Sequence, residues 1–306
     1  MTAHHCGRVG LIGRPNAGKS TLLNRALGEK LAIVSDKPQT TRHRIIGLLS
    51  EDRGQMILVD TPGVHKPQYG MNRRMVKQAV QALEEVDVVC LIVDAKLRFG
   101  AGDRFMLSLI ERVSTPKLLV LNKVDEFRKT RLLPLIEQYA EHSSFDEIVP
   151  ISALTGEGVE NLLELLWARL PEGSAIFNRT LLTVHPVRFL AAERIREKVL
   201  RHTRDELPFS TAVVIDDWEE GADLVRITAS ILVEKESQKG IVIGAGGQMV
   251  KLIGTEARHD LIDLVERRVM LDLRVRCELR WRDQKHILEA LDTEPWRGSA
   301  GPDSDP

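Results

Sequence analysis

The chain has 306 residues, enough to bury two separate cores. Its 43 Lys and Arg balance 44 Asp and Glu to a formal net charge of −1, so bulk electrostatics announces neither a nucleic acid nor an acidic surface as partner. Three scattered cysteines (Cys6, Cys90, Cys277), no apolar run near the roughly 18 residues of a membrane span and no signal-peptide core in MTAHHCGR exclude secreted and membrane-integral classes and predict a cytoplasmic protein.

His4, His5 and Cys6 have no partner at ligand spacing and read as a frayed terminus. Val9 to Ile12 predict a strand, which the octet GRPNAGKS (residues 13–20) follows before the helical pattern Thr21 to Leu27. Such an octet between strand and helix is a nucleoside-triphosphate phosphate loop. Gly13 and Gly18 let the backbone curl, so that N–H groups from Gly13, Arg14, Pro15, Asn16, Ala17, Gly18, Lys19, Ser20 and Thr21, proline excepted, surround a phosphate at a helix N-terminus. Lys19 would reach the β- and γ-phosphates and Ser20 would ligate Mg2+.

Strands are predicted at residues 45–49 and 56–59, and the second ends in Asp60-Thr61-Pro62-Gly63. Asp60 emerges where it can hold magnesium through a water, and Gly63 leaves its N–H free for the γ-phosphate. A helix over 75–85, a strand over 86–93, a helix over 102–113 and a strand over 117–121 follow. The last runs into Asn122-Lys123-Val124-Asp125. An aspartate here accepts from the ring N–H and exocyclic amine of guanine, a pair that adenine does not present; an unpaired carboxylate costs about 1–3 kcal/mol, so the base is guanine. A strand over 148–151 leads into Ser152 and Ala153, whose backbone N–H groups would meet the guanine carbonyl, and a helix over 159–168 closes the unit. The alternation predicts an α/β fold, a doubly wound, mostly parallel sheet over residues 5–172, with Pro171 to Ser174 opening a linker over 173–180.

A second unit, over 181–285, reads helix (187–204), strand (210–216), acidic turn (217–221), strand (223–234), then Ile241-Val242-Ile243, the turn Gly244-Ala245-Gly246-Gly247 and a long helix through Val269. In the final strand Leu271, Leu273, Val275, Cys277, Leu279 and Trp281 alternate with charged residues. A GxxG turn in an α-β-β-α-α-β order is the layout of a type-2 KH domain, an α+β RNA-binding unit whose glycines let a nucleic-acid backbone approach closely. Lys239, Ile241, Ile243, Gly244, Ala245, Gly246, Gly247 and Lys251 would line the cleft, with Lys235 and Arg258 adding positive charge. With acidic and basic residues balanced, its affinity should depend only modestly on salt. The tail over 292–306, rich in Gly, Pro, Ser and Asp, is expected to be disordered.

With both halves read, the chain resembles the Era-like bacterial GTPases over residues 7–285, on GRPNAGKST, PQTTRH (38–43), DTPG, NKVD, ISA and IVIGAGGQMVKLIG (241–254). Related double-domain GTPases are excluded, because this chain has one phosphate loop. The resemblance implies GTP hydrolysis, binding of the 3′ end of 16S rRNA through the KH domain, action in maturation of the 30S ribosomal subunit, a monomer, and peripheral contact with the inner face of the cell membrane. By the same resemblance Thr41 joins Ser20 on magnesium when GTP is bound, so Lys19, Thr41, Gly63 and Asn16 form the catalytic set. Asn16 is similar to an asparagine that holds K+ against the phosphates in related GTPases; its alternative role is to close its own loop.

The sequence departs from the family at Ala17, where Val is frequent, and at Ala245 and Gly246, uncharged where many relatives carry Lys. Val64 stands where Ras-like switches place a glutamine that orients water, so intrinsic turnover should be slow, at about 10⁻⁴ to 10⁻² per second. A second class, a membrane-associated signalling or cell-cycle GTPase whose C-terminal unit binds protein or lipid, is disfavoured because no lipidation motif or basic amphipathic anchor is present in the sequence.

Overall fold

A computed structural model describes residues 4–37, 40–63, 80–126, 130, 132–203, 207–284, 287 and 291. The chain divides into two compact units, residues 1–184 and 185–306. Val64 and the predicted 292–306 tail lie outside the described residues, as do Pro38, Gln39 and residues 75–79 of the predicted 75–85 helix.

In the first unit β1 (His5–Gly13), β2 (Ile45–Glu51), β3 (Gly54–Asp60), β4 (Val88–Asp94), β5 (Lys117–Asn122) and β6 (Glu147–Pro150) form one sheet, ordered β2-β3-β1-β4-β5-β6. Every neighbouring pair is parallel except β2–β3. β3 is buried along its whole length and β4 up to its last residue, which is why these segments read as continuous apolar runs rather than alternating ones. The helices α1 (Lys19–Leu27), α2 (Ala101–Ile110), α3 (Leu132–Ala140) and α4 (Val159–Trp167) pack around the sheet, and residues 80–84 are helical. α3 is a helix beyond those the sequence pattern predicts; its Pro134 falls in the first turn, where a missing N–H leaves no bond unmade.

β1 starts at His5, four residues before the apolar run, so His5 and Cys6, expected to fray, are strand. Cys6 N–H donates to the Pro171 carbonyl at 3.0 Å, and His5 Nδ1 lies 2.9 Å from the Leu170 carbonyl. Register sets Leu11 opposite Asp60, Gly13 opposite Ile92 and Asp94 opposite Asn122. The carboxyl ends of β1, β3, β4 and β5 therefore share one rim, where open α/β sheets bind ligands.

The segment that reads as a linker is fastened to this unit. Gln55, fully buried in β3, accepts from the N–H groups of Ile176 (3.0 Å) and Phe177 (2.9 Å) and donates to the Phe177 carbonyl and the Ser50 hydroxyl at 3.0 Å each. Farther along, Leu48 N–H donates to the Leu182 carbonyl (2.8 Å) and the Thr183 hydroxyl to the Ile46 carbonyl (2.6 Å). A buried amide satisfied at both ends is costly to undo, so residues 176–183 stay against β2 and β3.

The second unit contains α5 (Val187–His202), β7 (Ala212–Glu220), β8 (Leu224–Val233), α6 (Glu236–Ile243), α7 (Gln248–Val265) and β9 (Arg268–Cys277). Its sheet is ordered β7-β8-β9, antiparallel then parallel, and its core includes Ile195, Val199, Ile227, Ile231, Ile253 and Leu261. The predicted acidic turn is instead strand: Asp217 to Glu220 pair with Val225 to Thr228. A bulge between Ile215 and Asp217 shifts the register, so Trp218 faces the core and its flanking carboxylates face water. α7 stops at Val265, not Val269, because Glu266 takes a left-handed φ of 51°. The alternation of β9 ends at Cys277: Leu279 is 71% exposed, while Trp281 is buried in a one-turn helix and donates to the Ser210 carbonyl at 2.9 Å.

Candidate functional site

The phosphate loop leaves β1 under tight constraint. A Cβ on Gly13 would lie 2.2 Å from the Ile92 carbonyl, and one on Gly18, at φ 95°, 2.1 Å from Asn122 Nδ2. α1 then begins with Lys19, buried, its ammonium donating to the carbonyls of Gly13 (3.3 Å) and Arg14 (3.1 Å). Burial pulls its pKa down, and Asp60 pulls it partly back. The Arg14 guanidinium is held 3.2 Å from the buried Asp103 carboxylate. Pro15 lies against Gly63, where a Cβ would approach the proline Cα to 2.8 Å, so only glycine fits there.

Ser20, Thr41 and Asp60 come together. The Ser20 hydroxyl donates to Asp60 Oδ2 at 2.6 Å and lies 2.9 Å from the Thr41 hydroxyl. Asp60 is fully buried and its Oδ1 has no partner among the described residues. Two hydroxyls and a carboxylate with a spare buried oxygen form a hard-oxygen set that fits magnesium, whose charge would stabilise phosphate oxygens. Thr61 and Pro62 are buried beside it; the Thr61 hydroxyl is committed to the Leu11 carbonyl at 2.9 Å.

Without a cation Asp60 is a buried carboxylate, and its desolvation raises its pKa to about 6 despite Lys19 and the Ser20 hydrogen bond. The folded state then binds more protons than the unfolded one between pH 4 and 6, so this group favours folding at low pH and loses that stability as pH rises through 6. The loss is about 3 kcal/mol. In nucleotide-free, magnesium-free protein, Asp60→Asn is therefore expected to be more stable than wild type at pH 7.5. The gap should close below pH 6 in urea unfolding; a gap independent of pH would contradict the assignment.

At the other end Asn122, buried, donates from Nδ2 to the Ala17 carbonyl (2.8 Å) and accepts from Ala153 N–H (2.9 Å), tying three loops together. Lys123, at φ 68°, pairs with Asp94 at 2.7 Å. Asp125 is exposed in the single turn Val124–Glu126. Of the two N–H groups assigned to the guanine carbonyl, that of Ser152 donates to the Glu157 carbonyl (2.8 Å) and that of Ala153 to Asn122. Both are already spent within the protein.

A cavity of about 430 Å³ runs between the two ends, within the range of small-molecule sites. Its walls include Ile33, Val34, Ser35, Asp36, Glu126 and Leu154, which no motif in the sequence marks, and Thr40 of PQTTRH. The one signal for them was the apolar pair Ile33-Val34 ahead of PQTTRH, where Val34 is 44% exposed. Asn16, at φ 61°, donates to the Asp36 carbonyl at 2.5 Å, so its amide reaches a neighbouring loop rather than closing its own.

In the second unit α6 ends at Gly244, at φ 73°, where a Cβ would lie 2.7 Å from that of Met249. Gly246 (φ 57°) and Gly247 (φ 79°) follow in a one-turn helix with nothing within 4 Å of a built Cβ, so the turn faces open space and leads into the N-terminus of α7. Beside it Ile241 is 57% exposed, Ile243 half-buried, and Lys251 exposed. Lys239 sits 3.9 Å from Glu236. Arg258, expected to add surface charge, instead has its Nε bonded to the Val269 carbonyl at 2.7 Å.

A phosphate-loop nucleotide site on a doubly wound sheet, followed by a GxxG unit, defines a GTPase joined to a KH domain. Family models agree: one described as "50S ribosome-binding GTPase" matches residues 8–123, and one described as "KH domain" matches residues 206–282. The chain is 48% identical to the GTPase Era of Syntrophus aciditrophicus, over 92% of this chain and 93% of that one. It is 47% identical to that of Geobacter metallireducens, over 93% and 96%. It also superposes on a solved Era in complex with MgGDPNP and nucleotides 1506–1542 of 16S ribosomal RNA (TM-score 0.91, 37% identity, 94% and 98% of the two chains). An Aquifex aeolicus Era variant bound to GDP and aluminium fluoride is equally similar (TM-score 0.90, 37%, 94% and 98%). The chain belongs to the Era family of GTPases.

Proposed function

We propose that residues 5–172 bind and hydrolyse GTP while residues 181–285 bind the 3′ end of 16S rRNA, and that the protein acts in assembly of the 30S subunit. The observation that carries the RNA half is the open GxxG turn between α6 and α7 in this chain, and the similar Era solved with nucleotides of 16S ribosomal RNA supports it. Magnesium would be held by Ser20, Thr41 and Asp60, the γ-phosphate would lie against Lys19 and the Gly63 N–H, and Asp125 would read guanine. Peripheral contact with the inner face of the membrane and a monomeric state complete the reading. Gradient fractionation tests it against a signalling role. The protein should co-sediment with small subunits in a GTP-dependent way; recovery with membranes alone would favour lipid or protein binding instead.

Asn16 supports a potassium site as well. Its side-chain amide and the Asp36 carbonyl lie together on the cavity wall, and turning the amide would present two oxygens to a monovalent cation. A fixed positive charge there stabilises the charge that develops during phosphoryl transfer, so turnover should rise at least tenfold when potassium replaces sodium at constant ionic strength. Equal rates in the two salts would rule this out.

A further inference from the structure

We infer that Arg25 is a positioning residue for base recognition: it turns the 153–155 backbone so that the Leu154 N–H, rather than those of Ser152 or Ala153, is the donor presented to the 6-oxo group of guanine. The inference rests on the reading of Asn122 to Asp125 and of the segment that begins with Ser152 and Ala153 as the base site.

Four consecutive N–H groups line this segment, and three are used. Ser152 donates to the Glu157 carbonyl (2.8 Å), Ala153 to Asn122 Oδ1 (2.9 Å) and Thr155 to the Ser152 hydroxyl (3.1 Å). Leu154 N–H has no partner among the described residues, and Leu154, 65% exposed, lies on the wall of the nucleotide cavity. Its direction is set from α1. Arg25 donates from Nε to the Ala153 carbonyl at 3.3 Å and from its terminal nitrogen to the Leu154 carbonyl. In a trans peptide the C=O and N–H of one unit point opposite ways. The unit that carries the Ala153 carbonyl also carries the Leu154 N–H, so drawing that oxygen toward Arg25 points the N–H away from it.

Arg25 lies six residues after Lys19, on the same nine-residue helix. One rigid element thus fixes the phosphate contact and the orientation of the base loop together. Gly156, at φ 94°, lets the chain turn back beside the arginine stem, which would lie 3.9 Å from a Cβ there.

Arg25 is exposed, so its truncation opens no core. The test measures binding of GDP, IDP and 2-aminopurine riboside diphosphate, which lacks the 6-oxo group, to wild type, Arg25→Ala and Arg25→Lys by calorimetry. Arg25→Ala should weaken GDP and IDP about tenfold each and leave the 2-aminopurine nucleotide unchanged, and Arg25→Lys should recover part of the loss through one carbonyl contact. Equal weakening of all three nucleotides, or of none, would overturn the assignment. Should wild type bind all three alike, the base site itself has been misplaced and the proposal goes with it.

Discussion

Asp125→Asn is expected to move the nucleotide preference of this protein from guanine to xanthine. Guanine offers two donors, its ring N–H and its exocyclic amine, and a carboxylate accepts both. An asparagine offers one acceptor and one donor, which matches the ring N–H and 2-oxo group of xanthine and leaves guanine facing a donor with a donor. Sites built on such pairs discriminate by about 10⁴-fold, because a mismatch strands a desolvated polar group. Asp125 is exposed in its single turn, so the change should spare the fold. Competition titrations with GDP and XDP measure it. A variant that still preferred GDP would place base recognition elsewhere.

The groups on which that prediction depends were legible because they sit at the ends of strands buried on both faces. β1, β3 and β5 each announce themselves as apolar runs, and parallel register then gathers Lys19, Asp60 and Asn122 on one rim without further information. What escaped the sequence is tertiary. Arg25 looks like any charged residue on a helix surface, and only the fold brings it to carbonyls 128 and 129 positions away. Leu154 looks like a chance exposed apolar residue until its neighbours' N–H groups are seen to be occupied. Gln55 alternates with nothing, yet one buried amide turns an expected linker into a strip bound along two strands.

In the second unit, the departures from the sequence pattern have local causes. Asp217 to Glu220 carry four charged or aromatic side chains with no apolar alternation, so they read as a turn. The bulge that makes them strand is a backbone event with no residue signature here. The α7 boundary moved because Glu266, a residue that rarely takes positive φ, ends the helix where glycine was not available as a cue. Its glycines mark the GxxG turn in the sequence, but the reason for each is tertiary. Gly244 is required by contact with Met249, whereas Gly246 and Gly247 are free of contact.

That difference decides how the proposed RNA-binding face is best challenged. Replacing both Gly246 and Gly247 by Asp puts two carboxylates where phosphates would approach in the proposed complex, and nothing among the described residues lies within 4 Å of a Cβ at either position. Both positions have positive φ, so any L-residue there costs about 1 kcal/mol, and the double Ala variant carries the same strain without the charge. Binding of a labelled single-stranded oligonucleotide of the 16S 3′ end, followed by fluorescence anisotropy, should fall about 100-fold for the Asp variant and only a few-fold for the Ala variant. GTP hydrolysis should persist in both, since its groups belong to the first unit. The cleft floor of Ile241 and Ile243 suits unstacked bases, so a duplex of the same sequence should bind more weakly than the single strand. Equal losses in the two variants would mean that the backbone shape of the turn, not its approach to phosphate, carries the binding. Tighter binding of the duplex would remove single-stranded RNA as the ligand of this surface.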